Sequence, residues 1–358
     1  MTIHRIALTL SIALLVALPT ASAQQLQPST SKPDPSASSE RIQLDVVVSA
    51  KSGQPVNYLH PQDFTVLDNK SPRPITAFKV VTAAQEPVEV IVLIDAVNTP
   101  YEMVSYVRDQ TEKFLKANEG TLAHPTTIAV LTDQGVQVTS GLSTNGNALS
   151  DVLEHHVIGL RDITRASQWG GNDRLMICLK NLQQLVAYAS TLPGRKLILY
   201  ISPGWPLLSG PAVYLDSRQQ QQIFDNVVYF SSQLRQSKIA LYDVNPFGVS
   251  EPMMAANYYQ SFLKGLSKLS DAQYADLSLQ VLAVQSGGLT LTSNSDVTGN
   301  IQKCIADADS WYEITFDPPP ADKPNQYHHI EVRLDQPGLV ARTRTGYYSN
   351  PIAANPSR

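Results

Sequence analysis

Residues 88–95 read Val-Glu-Val-Ile-Val-Leu-Ile-Asp, and Ala96-Val97-Asn98-Thr99 follows directly. A nearly unbroken run of apolar, mostly β-branched residues is typical of a strand buried on both faces, as in a parallel sheet. Open α/β sheets bind their ligands outside the carboxyl ends of such strands. Asp95 therefore stands where a binding site is expected, and its carboxylate is a ligand that divalent cations prefer.

The central part of the chain, residues 87–308, alternates between strand and helix patterns. Further strand patterns occur at 127–132, 135–139, 196–201, 239–244 and 289–291. Helical patterns lie between and after them, at 101–118, 147–155, 173–191, 215–236, 271–285 and 297–308. This alternation predicts an α/β fold with a doubly wound, mostly parallel sheet.

Both ends of the chain carry alternating strand patterns instead. They occupy residues 41–86 and 309–349, and a short tail, 350–358, follows. Neither set alone is large enough for a stable sheet with one covered face. We therefore expect the two sets to form one small antiparallel β-sandwich, with the α/β domain inserted between them and linkers near 82–86 and 309–310.

The first 23 residues have the pattern of a secretory signal peptide. His4 and Arg5 precede an apolar run at 6–18, and Ala21-Ser22-Ala23 provides a cleavage site. An uncleaved membrane anchor is the alternative, although this run is shorter than the roughly 18–20 residues that a bilayer needs. Residues 24–40 are rich in Ser, Pro and Gln and predict a disordered linker. We expect an exported chain without a transmembrane segment once mature, located in the periplasm, outside the cell or at its surface.

Charge and cysteine content restrict the function classes. The formal net charge is −4 and no basic stripe is present, so nucleic acid is not an expected partner. Cys178 and Cys304 are the only two cysteines. In an oxidising compartment they can form a disulfide, and the alternative is two buried thiols that act as small apolar side chains.

Several motifs together resemble one known family. They are Asp45-Val46-Val47-Val48, Gln62–Asp68, Asp95–Thr99, Gly170-Gly171, Lys196–Gly204 and Arg344–Tyr348. Over roughly residues 40–349 the chain resembles the VWFA-related domain family of exported acidobacterial-type proteins, and its central part is similar to a von Willebrand factor A domain. The resemblance implies a doubly wound domain that mediates adhesion or assembly, in a family without an established reaction.

The resemblance also implies a metal-ion-dependent adhesion site in degenerate form. Its D-x-S-x-S pattern falls on Asp95, Val97 and Thr99, its loop threonine on Asn172 and its last aspartate on Ser202. Asp95, Thr99 and Asn172 are thus the candidate ligands of Mg²⁺ or Mn²⁺. Because Val97 offers no oxygen and the second carboxylate is missing, the alternative is that no cofactor is required and Asp95 caps the following helix.

The expected function is an exported, non-enzymatic protein-interaction or adhesion module. Its partner, a protein or a cell-surface ligand, would contact the carboxyl-end face through Asp95, Asn98, Thr99, Asn172, Ser202 and Trp205. Trp205 has the alternative of packing over the next helix. Two alternatives remain. One is a hydrolase or other enzyme that uses the same crevice, and the other is a scaffold with a vestigial site. No nucleophile–base pair is recognised, so no catalytic residue is assigned. The pair His328-His329 is interpreted as surface histidines.

Overall fold

A computed structural model gives the structure of the protein, and it describes residues 41–156, 158, 168–206, 214–248 and 258–349. The predicted signal peptide at 1–23, the linker at 24–40 and the tail at 350–358 all lie outside these residues. Within the described ranges, none of the helices combines the length and apolar character needed to cross a membrane.

The strands, in chain order, are β1 (Ile42–Ala50), β2 (Phe64–Asp68), β3 (Ser71–Arg73), β4 (Ile75–Thr82), β5 (Val88–Asp95), β6 (Thr121–Thr132), β7 (Gly135–Val138), β8 (Ser143–Asn145), β9 (Arg195–Ile201), β10 (Ile239–Val244), β11 (Thr290–Leu291), β12 (Ser310–Phe316), β13 (Gln326–Leu334), β14 (Leu339–Arg342) and β15 (Gly346–Ser349). The α-helices are α1 (Tyr101–Leu115), α2 (Gly146–His155), α3 (Gln168–Ser190), α4 (Ser217–Gln236), α5 (Leu279–Gln285) and α6 (Val297–Ile305).

The central sheet has the strand order β11-β10-β9-β5-β6-β7, and β8 also pairs with β6. Strands β11, β10, β9, β5 and β6 are parallel, whereas β7 and β8 run antiparallel to β6. Strand β5 is buried along its whole length, as its apolar run predicts. Helices α3, α4 and α5 contribute to the core on one face of the sheet, and α1, α2 and α6 contribute to the core on the other. The predicted doubly wound, mostly parallel sheet is therefore confirmed.

The two chain ends form the two sheets of a sandwich. One has the order β14-β1-β12-β4 and the other β15-β13-β2-β3, so each combines strands from both ends. Their inner faces share one apolar core, in which Phe64, Tyr312 and Phe316 are large buried side chains. Neither set of strands is sufficient for a stable sheet alone, because each sheet of the sandwich needs strands from both chain ends.

The predicted helix at 271–285 is shorter in the structure. Residues Leu269–Asp271 and Tyr274–Leu277 form separate 3-10 turns, and helix α5 begins only at Leu279. Ser278 causes the late start, because its side chain accepts a hydrogen bond from the backbone N–H of Val281 as an N-cap.

Cys178 and Cys304 are both free and buried. Cys178 belongs to the core on the α3 side of the central sheet, and Cys304 belongs to the core on the α6 side. The sheet lies between them, so the structure has two buried thiols in place of the disulfide that the sequence left open.

The interpretation of His328 as a surface residue is wrong. Its side chain is only 3% exposed, and its Nδ1 lies 2.9 Å from Oδ1 of Asp68, itself buried. The hydroxyl of Tyr347 donates to the other oxygen of Asp68 at 2.7 Å. Strand alternation turns His328 inward and leaves His329 exposed, and Asp68 compensates the burial of the imidazole.

Candidate functional site

Asp95 is the last residue of β5, and its carboxylate is fully enclosed by groups of its own chain. Oδ1 accepts hydrogen bonds from the backbone N–H groups of Val97 at 2.9 Å and Asn98 at 3.0 Å. Oδ2 accepts from the Asn98 side-chain amide at 2.8 Å and from the Ser202 hydroxyl at 2.7 Å. With four donors and an exposed fraction of 0%, the carboxylate fixes the loop after β5 and ties it to the end of β9.

Ser202 follows β9 and connects Asp95 to a tight turn. Its hydroxyl donates to Asp95 and accepts from the backbone N–H of Gly204 at 3.1 Å. Gly204 has a φ of +100°, and a Cβ at this position would lie 2.7 Å from Nε2 of Gln280. The turn therefore requires glycine for its backbone conformation, whereas the contact with Gln280 involves only the end of a flexible side chain.

Asn98 brings a third element to the network. Its amide nitrogen lies 3.1 Å from Sγ of Cys178 on α3 while it also donates to Asp95. Its Oδ1 is buried, and within the described residues it has no hydrogen-bond partner. No sequence pattern places Cys178 at this edge, because only the packing of α3 against the sheet brings the thiol beside Asn98.

The remaining predicted site residues are mostly buried. Thr99 has an exposed fraction of 0% and Trp205 of 5%. The indole of Trp205 packs edge-on against Tyr200, with ring centroids 5.7 Å apart. The side chain is therefore not an exposed anchor; it packs on a strand residue, and packing over the next helix stays a prediction. Asn172 is half-buried, but it lies within α3, not in a loop before the helix.

Asp95 does not cap the following helix, which corrects the alternative role expected for it. Helix α1 begins at Tyr101, and its N-cap residue is Pro100, which provides no side-chain cap. The carboxylate instead accepts from N–H groups two and three residues ahead, as in the Asx-turns that aspartate forms in loops. Its role is to shape the loop between strand and helix.

Burial changes the protonation behaviour of this edge. It raises the pKa of the Asp95 carboxyl, although the hydrogen bonds from Asn98, Ser202 and Val97 oppose the shift. Burial also raises the pKa of the Cys178 thiol, and the nearby charge of Asp95 acts in the same direction. A thiol with a raised pKa is a poor nucleophile, so Cys178 lacks the environment of a reactive cysteine.

These residues do not fit a divalent cation. Mg²⁺ needs near-octahedral oxygen ligands, but four donors already occupy both oxygens of Asp95. Val97 supplies no oxygen and is packed in the apolar core. Ser202 stands at the position of the missing second carboxylate, and its hydroxyl donates a hydrogen bond to Asp95. Among the described residues, no cluster of three or more His, Cys, Asp or Glu side chains is arranged to hold a metal ion.

A second buried carboxyl lies two strands away. Asp243 on β10 is 0% exposed, and neither of its oxygens has a hydrogen-bond partner among the described residues. It lies beside Tyr200 on β9 and Thr290 on β11 in the sheet register. Burial raises the pKa of Asp243 far above its ordinary value. The sequence shows that Asp243 is close to the end of a strand, but it does not show that the carboxyl lacks partners.

Comparisons with known proteins give similarity of fold only. No family model matches the chain, and no curated protein matches it. Similar solved structures include an aerotolerance-related membrane protein from Bacteroides fragilis, with 13% identity, a TM-score of 0.32, and coverage of 61% of this chain and 98% of that one. The VWA domain of SpRpn10 has 11% identity, a TM-score of 0.28, and coverage of 60% and 95%. The human COPII-coat protein Sec24c has 9% identity, a TM-score of 0.36, and coverage of 82% and 50%.

Proposed function

We propose that this protein is an exported, non-enzymatic protein-interaction domain whose A-like site works without a metal ion. The saturation of Asp95 by four donors from its own chain is the observation that supports this proposal. A ligand bridged through a metal needs open coordination positions. Recognition at this edge would therefore use protein groups alone, with Asp95 and Ser202 as the internal support of the surface.

The contact surface would lie around the side chains at this edge that reach solvent. Asn98 and Asn172 are half-buried, and Asp173 is exposed. Because Cys178 touches Asn98, and a helix rises about 1.5 Å per residue, Asp173 lies roughly 7 Å further along the axis of α3. The start of α3 and the loop after β5 together would form the recognition surface.

Site-specific photocrosslinking tests the interaction. A photoreactive phenylalanine analogue in place of Asp173 should give an adduct of discrete mass in the producing cells, and EDTA should not reduce its yield. The same analogue in place of Lys70, exposed in the turn between β2 and β3, is the matched control. An adduct that disappears with EDTA would contradict the metal-free mechanism, and the absence of an adduct at Asp173 would contradict the proposed surface.

Thermal unfolding with and without Mg²⁺ or Mn²⁺ tests the metal-free state directly. We expect no shift for the natural chain up to millimolar metal, whereas a ligand at a hundredfold excess over its dissociation constant adds about 2.7 kcal/mol to the free energy of unfolding. Ser202→Asp is the positive control. It places a second carboxylate beside Asp95, so repulsion should lower the melting temperature and a divalent cation should restore it.

An enzyme in the same crevice is the second candidate, and one observation favours it. Asp95 and Asp243 are both carboxyls with raised pKa values, a property that is frequent at active sites. Both, however, are 0% exposed, so a substrate cannot reach either carboxyl without a rearrangement of the edge. The stability of an Asp243 variant, described in the Discussion, distinguishes the two proposals.

A further inference from the structure

A cavity lies at the end of the central sheet that is opposite to Asp95. It is enclosed by the last turn of α1, the start of β6, the last turn of α6 and the connection to β12. In the sheet register Thr126, on the cavity wall, is paired with Val90, whereas Asp95 is paired with Leu131. The cavity volume is about 220 Å³. Since a cavity of about 150 Å³ accepts benzene, there is room for one six-membered ring with a small substituent.

The deeper part of the cavity is apolar and its rim is polar. The buried and half-buried apolar side chains that line it are Phe114, Ala117, Leu122, Ile305 and Ala306. Polar side chains that are exposed to solvent, such as Gln302 and Asp309, stand at the rim. Small-molecule sites commonly combine apolar walls with a few polar groups that fix the orientation of the ligand.

The turn between α1 and β6 holds one wall of the cavity in place. Asn118, Glu119 and Gly120 have φ values of +50°, +59° and +78°, so three successive residues adopt the left-handed conformation. The side-chain amide of Asn147 on α2 donates to the carbonyl oxygen of Glu119 at 3.1 Å. The wall is therefore fixed by contacts within the chain, and the cavity is formed before any ligand enters.

His124 is the polar residue that the apolar lining does not explain. Strand alternation turns it inward with Leu122 and Thr126, and its side chain is only 4% exposed. Its Nε2 is buried, and within the described residues it has no hydrogen-bond partner. Oδ1 of Asp309 lies 3.5 Å from Nε2, beyond the usual length of a hydrogen bond, and the Asp309 side chain is 60% exposed. The hydroxyl of Thr126 donates instead to the carbonyl oxygen of His124, at 2.9 Å.

The chemistry of His124 favours an uncharged ligand with a hydroxyl group. Burial lowers the pKa of His124, although the charge of Asp309 opposes the shift, so the imidazole favours its neutral form. A buried ring nitrogen without a partner costs free energy that a ligand can restore. A hydroxyl both donates and accepts, so it can bridge Nε2 and the Asp309 carboxylate. A methyl group can do neither, and an anionic ligand would be repelled by Asp309.

We propose that this cavity binds one small, uncharged and mainly apolar molecule that carries a hydroxyl group and has about the size of phenol. Its apolar body packs on Phe114, Leu122 and Ile305. Its hydroxyl pairs with Nε2 of His124 and reaches Asp309 at the rim. This site is separate from the Asp95 edge and does not depend on the function proposed there.

Fluorine NMR titration of the purified protein with para-fluorophenol and para-fluorotoluene tests this proposal, because the two probes have nearly the same shape and differ in the hydroxyl. We expect saturable binding of both probes, with para-fluorophenol tighter by about fivefold, the effect of one hydrogen bond. His124→Phe should abolish this preference and keep the binding of para-fluorotoluene. His329→Phe, the same change at an exposed histidine of β13, is the matched control and should leave the preference unchanged.

A second variant tests the place of binding. Ala306→Phe fills the cavity from its wall and should remove the binding of both probes, with circular dichroism as the check on folding. If His124→Phe does not fold, Asp309→Ala decides, and it should weaken para-fluorophenol severalfold without a change for para-fluorotoluene. Absence of saturable binding, or binding that survives Ala306→Phe, would overturn the site. Equal affinity for the two probes, or tighter binding of para-fluorobenzoate, would overturn the role of His124 and the uncharged hydroxyl ligand.

Discussion

Replacement of Asp95 should show whether its carboxylate is structural or is reserved for a ligand. Asp95→Ala removes the acceptor of four hydrogen bonds, of which those from Val97 and Ser202 are buried. A buried donor without an acceptor costs about 1–3 kcal/mol, and the two partly buried bonds from Asn98 contribute about 0.5–1.5 kcal/mol each. Since the Ser202 hydroxyl can rotate, we expect a total loss of about 3–6 kcal/mol in the free energy of unfolding.

Asp95→Asn should be milder. One amide oxygen can still accept from the two backbone N–H groups, but the new NH₂ group then faces the amide nitrogen of Asn98, a donor opposite a donor. We expect a loss of about 1–3 kcal/mol. Urea unfolding at constant m-value measures both variants. Asp225→Ala, which removes an exposed carboxylate with one side-chain hydrogen bond, is the matched control and should change stability by less than about 0.5 kcal/mol.

The pH dependence gives an independent check. Because burial raises the folded-state pKa of Asp95 above its ordinary 3.8, its contribution to stability is greatest below that value and falls as the pH rises through the folded pKa. The penalty of Asp95→Asn should therefore be larger at pH 4 than at pH 8. A carboxylate that is kept for a ligand does not stabilise the unliganded fold, so its removal would not lower the free energy of unfolding. An Asp95→Ala variant as stable as the natural chain would therefore refute our reasoning.

Three further substitutions test other buried groups. Asp243→Val removes a carboxyl that has no hydrogen-bond partner among the described residues, and it should raise the free energy of unfolding by about 1–3 kcal/mol at pH 7; a loss of stability would instead point to a required carboxyl and favour the enzyme alternative. Burial raises the pKa of Asp276 to about 6, so the stability of the natural chain relative to Asp276→Asn should fall by about 2 kcal/mol between pH 4 and pH 7 in urea titrations. Tyr347→Phe deletes the hydrogen bond to Asp68 and should cost about 1.5–3 kcal/mol, whereas a cost below about 0.5 kcal/mol would show that His328 alone holds that carboxylate.

The layers of the fold follow from local patterns in the sequence. The apolar run at Val88–Asp95 requires cover on both faces, and the helices that pack on the two sides of the central sheet provide it. The incomplete strand sets at both ends can be covered only by each other, as the mixed sheets of the sandwich demonstrate. These predictions succeed because burial of an apolar run depends on composition and period, not on the identity of a distant partner.

The candidate site could be located from the sequence, but its chemistry could not. Asp95 is recognisable as the end of a strand, whereas its partner Ser202 is 107 residues away and is brought near only by the pairing of β5 with β9. Trp205 gives no local signal that it packs on Tyr200. His328 is likewise paired with Asp68 at a separation of 260 residues. Contacts of this kind depend on register and crossover, which a single sequence does not specify.

A metal site and the observed network at Asp95 exclude each other for a chemical reason. At position 202 a carboxylate would repel Asp95 unless a cation lay between them, whereas the hydroxyl of Ser202 donates a hydrogen bond to it. At position 97 a hydroxyl would supply an oxygen, whereas the side chain of Val97 packs in the core. Val97 and Ser202, two of the residues that depart from the adhesion pattern, thus allow Asp95 to be held by the chain itself. Under our proposal the edge of the sheet keeps its shape without a cation, and a partner that binds there recognises this preformed surface.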